Sequence, residues 1–177
     1  MNTVKEEFWY LDVLVNNAVK EVSRAIEDLS FEERQLAINS KLNGSWLCTK
    51  YALPLLKKSD DANIIVISSS ADERPSPDIW SYAVATGAVN CFVKALAAHM
   101  PNYGIRVNAV MPSQVRTAHW GSDEKNDKLW KTFKEFNPMK RLATPEIVAD
   151  AVVLLVNDPH KYFNGNFLYV NGGGHWK

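Results

Sequence analysis

Two cysteines in 177 residues, Cys48 and Cys91, exclude a disulfide framework, and their wide separation argues against structural zinc. An excess of one charge is also missing. Twenty Lys and Arg balance twenty Asp and Glu, so no bulk field steers the chain onto nucleic acid or anionic lipid. The charges are interspersed and build no basic or acidic tail. No apolar run approaches eighteen residues, so no membrane span is expected. Lys5, Glu6 and Glu7 stand where a signal peptide would carry its apolar stretch, so no signal peptide is expected. A soluble, reducing, cytoplasmic setting is the expectation. The four histidines, His99, His119, His160 and His175, show no metal-ligand spacing, and no metal is expected. Glycine is scarce at the front, with none before Gly44.

What is present is a chain with 46% hydrophobic residues, long enough for one domain with a real core. No repeat or low-complexity linker divides it, so residues 1–177 read as a single domain. Residues 11–15, 63–67, 104–110 and 167–170 are short apolar runs that read as buried strands. Ser30 followed by Glu33 is a capping-box signature, and helical periodicity then runs to about Leu56. Residues 79–100 read as a long helix and 124–136 as an amphipathic one. A last helix is opened by Thr144 as N-cap and Pro145 in its first turn. Strands alternating with long helices imply crossovers and a parallel sheet, and continuously apolar strands imply that both faces are covered. The fold class is therefore α/β, a doubly wound layer of about four strands. Ligands of such sheets lie beyond the carboxyl ends of the strands. That places segments 16–19, 68–72, 111–117 and 171–174 around any site.

These segments carry a pattern. Leu-Asp-Val-Leu-Val-Asn-Asn-Ala at 11–18 precedes Ile-Ser-Ser-Ser at 67–70, and Tyr82 follows Ser69 by thirteen positions. Arg-Val-Asn-Ala-Val-Met-Pro-Ser-Gln-Val-Arg-Thr spans 106–117, Arg141 precedes Thr144 and Pro145, and Gly-Asn-Phe-Leu-Tyr-Val-Asn-Gly-Gly spans 165–173. In this order, and over almost the whole chain, they resemble the short-chain dehydrogenase/reductase family. The resemblance implies the later half of a Rossmann-type sheet and hydride transfer between NAD or NADP and a carbonyl or alcohol carbon. The cofactor would carry the hydride while the protein supplies position and protons. It implies Tyr82 as acid/base and Ser69 as carbonyl polariser. Pro112, Val115 and Thr117 would lie on the nicotinamide side, with Tyr82 also touching the cofactor, and Asn16 and Ala18 on the ribose side. The family lowers its tyrosine's pKa, ordinarily about 10, with a lysine one helical turn later.

Four departures accompany the resemblance. The family's opening strand, Gly-rich turn and helix, which hold the pyrophosphate, have no counterpart here. The lysine position, four after Tyr82, is Thr86. Both flanks place Lys41 where the family has an asparagine; Asn39 would fill that role only with a two-residue shift on each side. Val19 and Ser113 replace two loop glycines where backbone approaches the cofactor. Together these imply impaired or absent catalysis, or alternatively a non-catalytic partner subunit or remnant; a fragment from a misassigned start is a third reading. One reading restores activity: Lys41 extends its ammonium toward the space that Thr86 leaves. Its alternative is one more solvated helical lysine.

The resemblance also implies that strand 11–15 lacks a neighbour, which leaves an unpaired apolar edge. Self-association, pairing with another chain, or low stability is expected. The helices at 30–56 and 79–100 would form a dimer interface, with Ala83, Ala85, Gly87 and Ala88 allowing close approach. Residues 120–136 read as a substrate lid or an ordinary packed helix, and loop 72–78 as a shaper of substrate choice. Asn43-Gly44-Ser45 fits a glycosylation sequon that a chain kept from the secretory route would not use.

Overall fold

The computed structural model describes residues 2–117 and 123–174; His119, Trp120 and His175 lie outside them. Four strands form one sheet: β1 (Val13–Asn16), β2 (Ala62–Ile67), β3 (Ile105–Pro112) and β4 (Phe167–Val170). They lie in sequence order and every pairing is parallel. The strands match the sequence reading within two residues at each end, and the last matches it fully. The helices are α1 (Asn2–Glu7), α2 (Phe31–Ala37), α3 (Gly44–Leu56), α4 (Trp80–His99), α5 (Asp123–Phe136) and α6 (Pro145–Val156).

The period-two alternation of a strand sends neighbouring side chains to opposite faces. On one face Ile64, Val66, Ile105, Val107 and Ala109 pack with Ala52 and Leu56 of α3 and with Val89, Val93 and Ala97 of α4. On the other, Ile65 and Val110 pack with Ala151 and Leu155 of α6. Both faces of the central strands are covered, as their unbroken apolar runs require, whereas Val15 of β1 stays exposed. Each fully buried aliphatic side chain contributes about 1.5–3 kcal/mol, so the central strands β2 and β3 anchor the domain.

Several expectations are corrected. The long helix expected from Ser30 to Leu56 is interrupted by a π-helical turn, Ile38–Asn43, between α2 and α3. Nothing in a 3.6-residue period announces a single widened turn. The capping box at Ser30 and Glu33 forms in both directions, at 3.0 and 3.1 Å. Thr144 sits at the N-cap of α6, but its hydroxyl bonds the Glu146 carboxylate instead of a free helix N–H and holds that carboxyl below the usual range. Segment Pro77–Tyr103, which contains α4, is long and apolar enough to cross a membrane by length and composition. It passes that test because its sheet-facing residues belong to the core. Ala83 and Ala85 are buried within the chain, so those small side chains serve internal packing.

Among the described residues β1, at the edge of the sheet, pairs only with β2. Val15 within it, and Phe8, Trp9, Tyr10 and Val19 just before and after it in sequence, are exposed. Both cysteines are free and exposed.

Candidate active site

The carboxyl ends of the parallel strands lie together, and loops leaving them carry the residues singled out by sequence. Ser68 and Ser69 leave β2. Ser68 is buried and its hydroxyl bonds the Asn90 side-chain oxygen on α4. Asn90 in turn donates to Asp72 Oδ2 at 3.0 Å. This chain of bonds ties the serine loop to the helix that bears Tyr82. Ser69 is half-buried and accepts the Ala71 N–H at 3.2 Å, a local turn that fixes its hydroxyl at the strand exit. Asn90 went unnoticed in the sequence; its signal is its place one helical turn after Thr86.

Tyr82 stands in the first turn of α4, half-buried. Its hydroxyl accepts a hydrogen bond from Lys41 Nζ at 3.2 Å, and the same ammonium lies 4.6 Å from the ring centroid. Lys41 is only 3% exposed, which rules out the solvated-lysine alternative. The π-helical turn carries it, and Ser45 Oγ donates to the Lys41 carbonyl at 2.6 Å. Such turns re-aim a side chain that a regular helix would point elsewhere. Asn39, the rival for this position, is exposed and accepts from Asn43 at 2.8 Å. Thr86 is fully buried and its hydroxyl has no partner.

The remaining candidates lie at or just beyond the ends of β1 and β3. Asn16 ends β1, 8% exposed, with its amide donated to Thr49 at 3.4 Å. Ala18, just beyond, is exposed. Pro112 ends β3, Val115 forms an isolated parallel bridge with Ala143, and Thr117 is half-buried. The fit of these residues to a nicotinamide group is decided at Ser113. Its N–H donates to Val170 at 3.3 Å and its hydroxyl to the Asn171 carbonyl at 3.5 Å. The extra side chain is therefore directed toward β4, on the far side of β3 from β2, and lines a cavity of about 200 Å³ with Asn137 and Tyr169. So directed, the Ser113 side chain does not bar a nicotinamide group from the residues present.

Loop 71–75 is anchored at a second point. Tyr169 of β4 donates to Glu73 Oε1 at 2.7 Å, and this bond to a carboxylate pushes the Tyr169 phenol up to about 12. Arg74 also donates to the Gly174 carbonyl at 3.1 Å. Among the described residues no group of three or more His, Cys, Asp or Glu is arranged to hold a metal.

A parallel α/β sheet whose serine-bearing strand-exit loop is bonded, through Asn90, to the helix that carries Tyr82 defines a Rossmann-type domain of the oxidoreductase kind. The chain belongs to the short-chain dehydrogenase/reductase family. A family model described as enoyl-(acyl carrier protein) reductase matches residues 1–175. Glucose 1-dehydrogenase 2 of Bacillus subtilis (strain 168) is 33% identical over 175 residues, which are 98% of this chain and 67% of that protein. The 3-oxoacyl-[acyl-carrier-protein] reductase of Synechocystis sp. is 32% identical over 174 residues, 98% of this chain and 68% of that one. The solved structure of ElxO with NADP bound superposes with a TM-score of 0.90 at 28% identity, covering 99% of this chain and 72% of that chain. The chain thus spans about two thirds of the length of these curated relatives.

Proposed function

We propose that the chain is an NAD(P)-dependent oxidoreductase that interconverts a carbonyl and an alcohol. The observation that carries this is the lacing of the serine loop to the tyrosine helix through Ser68, Asn90 and Asp72. It ties the loop that carries Ser69 to the helix that carries Tyr82, which supports their acting together at one carbonyl oxygen. The nicotinamide, when bound, supplies or takes the hydride. Ser69 donates its hydroxyl to the carbonyl oxygen and Tyr82 delivers the proton in reduction or removes it in oxidation. Pro112, Val115 and Thr117 bound the nicotinamide side, and Asn16 and Ala18 the ribose side.

The impairment expected from the sequence rested on four departures, of which two bear most directly on the chemistry. The first was a missing cation, and the ammonium of Lys41 beside Tyr82 speaks against it. The second was the expected lack of a phosphate-holding turn, which would bear on cofactor affinity and not on the proton chemistry. The reading as a non-catalytic partner subunit has one observation in its favour, the exposed apolar residues around β1. Those residues also support association with a second copy or another chain, which a monomer at micromolar concentration would contradict.

The test is oxidation of NADH and NADPH by the chain with a panel of small aldehydes and ketones. Carbonyl-dependent oxidation that falls by about 100-fold or more in Tyr82→Phe and Ser69→Ala is expected. Turnover unchanged in Tyr82→Phe would overturn the assignment.

A further inference from the structure

The inference here rests on the function just proposed and concerns the charge that serves Tyr82. We propose that Lys41, delivered by the π-helical turn, is the cation that holds the Tyr82 phenolate, so that this chain draws that charge from before β2 instead of from α4. Lys41 acts through Tyr82 and is in that sense a positioning residue.

Four observations meet at this point. A lysine buried to 3% exposure is costly unless its ammonium is paired. Its hydrogen-bond partner is the Tyr82 hydroxyl at 3.2 Å, and the ring lies below it at 4.6 Å. The residue one helical turn after Tyr82, Thr86, is buried, neutral and unpartnered at its hydroxyl, so it supplies no charge of its own. The turn that carries Lys41 packs directly on α4, and its geometry is the departure from regular helix described above.

The other charged groups on elements packed against α4 have different engagements. Glu33 of α2 bonds the Ser30 N–H and pairs with Arg24 at 3.5 Å, and Arg34 donates to Gln35 at 2.9 Å. Glu32 of α2 and Asp78, in the turn before α4, are exposed. Arg106 of β3 is taken by Asp61 and the Val156 carbonyl, and Asp72 by Asn90. Lys41 is therefore the cation in contact with the phenol.

The proton balance follows. In reduction the Tyr82 O–H bond breaks and a new O–H bond forms on the former carbonyl oxygen. The phenolate left behind keeps the electron pair and faces the Lys41 ammonium, which favours that charged form. Water then returns a proton to Tyr82.

The test reads the phenol directly and needs no cofactor. The ultraviolet absorbance of the chain minus that of Tyr82→Phe, followed against pH, isolates the Tyr82 phenolate. The same difference is then taken in a Lys41→Met background, which keeps the buried methylenes. We expect the phenolate to appear at a pH higher by about one unit or more in Lys41→Met, a tenfold change or greater, and Thr86→Lys in that background to bring it back down. Lys41→Gln removes the charge while keeping a donor, and takes the place of Lys41→Met if the latter does not fold. Superposable titrations with and without Lys41 would overturn the proposal. A shifted titration with no carbonyl-dependent NADH or NADPH oxidation overturns the proposed function and supports the pair. Turnover with an unshifted titration does the reverse.

Discussion

Asn90 Nδ2 lies 3.0 Å from Asp72 Oδ2, and Asn90 Oδ1 bonds the Ser68 hydroxyl, so one amide joins the serine loop to α4 through both of its ends. Asn90 is 5% exposed, and the second Asp72 oxygen already lacks a partner. Removing the amide leaves two further polar groups unsatisfied near the core. Asn90→Ala is expected to cost about 1–3 kcal/mol in denaturant unfolding. It should also lower kcat of any carbonyl reduction more than it raises KM, because it loosens the placement of Ser69 against Tyr82.

Gly87 lies on the same helix and faces the same loop. A Cβ built there meets the Asp72 Cβ at 3.4 Å, which is contact without overlap. Glycine inside a helix costs about 1 kcal/mol relative to alanine. Gly87→Ala should therefore raise stability by several tenths to about 1 kcal/mol, read as a higher denaturation midpoint at unchanged slope.

Gly172 behaves oppositely. Its φ is +57°, and a Cβ there meets Asn137 Oδ1 at 2.6 Å. Asn137 cannot yield freely, since it donates to the Asn171 carbonyl at 3.0 Å and accepts the Met139 N–H at 2.9 Å. Gly172→Ala is expected to destabilise by about 1–3 kcal/mol from backbone strain alone, with the overlap adding to it. A thermal melt of the two glycine variants side by side should move in opposite directions.

Asp158 gives a pH dependence. Its carboxylate accepts the N–H groups of Phe163 and Tyr162 at 2.7 and 2.5 Å and of His160 at 3.1 Å, and Arg106 lies 3.9 Å away. The bond from Phe163, then those from His160 and Tyr162, and then the Arg106 charge hold this carboxyl below the ordinary aspartate value against the opposing effect of burial. A carboxyl lowered in the folded state stabilises the fold above its unfolded value. That contribution is lost as pH falls through the folded value. The melting temperature of the chain should fall on acidification below about pH 4, and more steeply than that of Asp158→Asn. Equal slopes for the two would contradict this account of the loop at 158–163.

Much of the fold was legible in the sequence because its signals are local and periodic. The strands announce themselves as apolar runs, and the Ser30–Glu33 box forms as read. The site was legible in composition, since the serine–tyrosine spacing and the strand exits stand in the sequence. Its wiring was not. The π-helical turn that buries Lys41 depends on packing against α4, which no periodicity encodes. The Asn90–Asp72 bond joins residues whose partnership exists only once the loop folds back on the helix. Thr144 shows the converse limit: a residue favoured at an N-cap donates its hydroxyl to the Glu146 carboxylate instead of accepting a helix N–H.

The central claim is that the residues at these strand exits hold a nicotinamide cofactor for chemistry at Tyr82. Titration of the folded chain with NADH and with NADPH, followed by the fluorescence of its six tryptophans, tests it most directly. Saturable binding of one of the two with a Kd of about 1 mM or tighter, unaltered in Tyr82→Phe to within a few fold, is the predicted result. No saturable binding of either cofactor by a chain shown to be folded would contradict it.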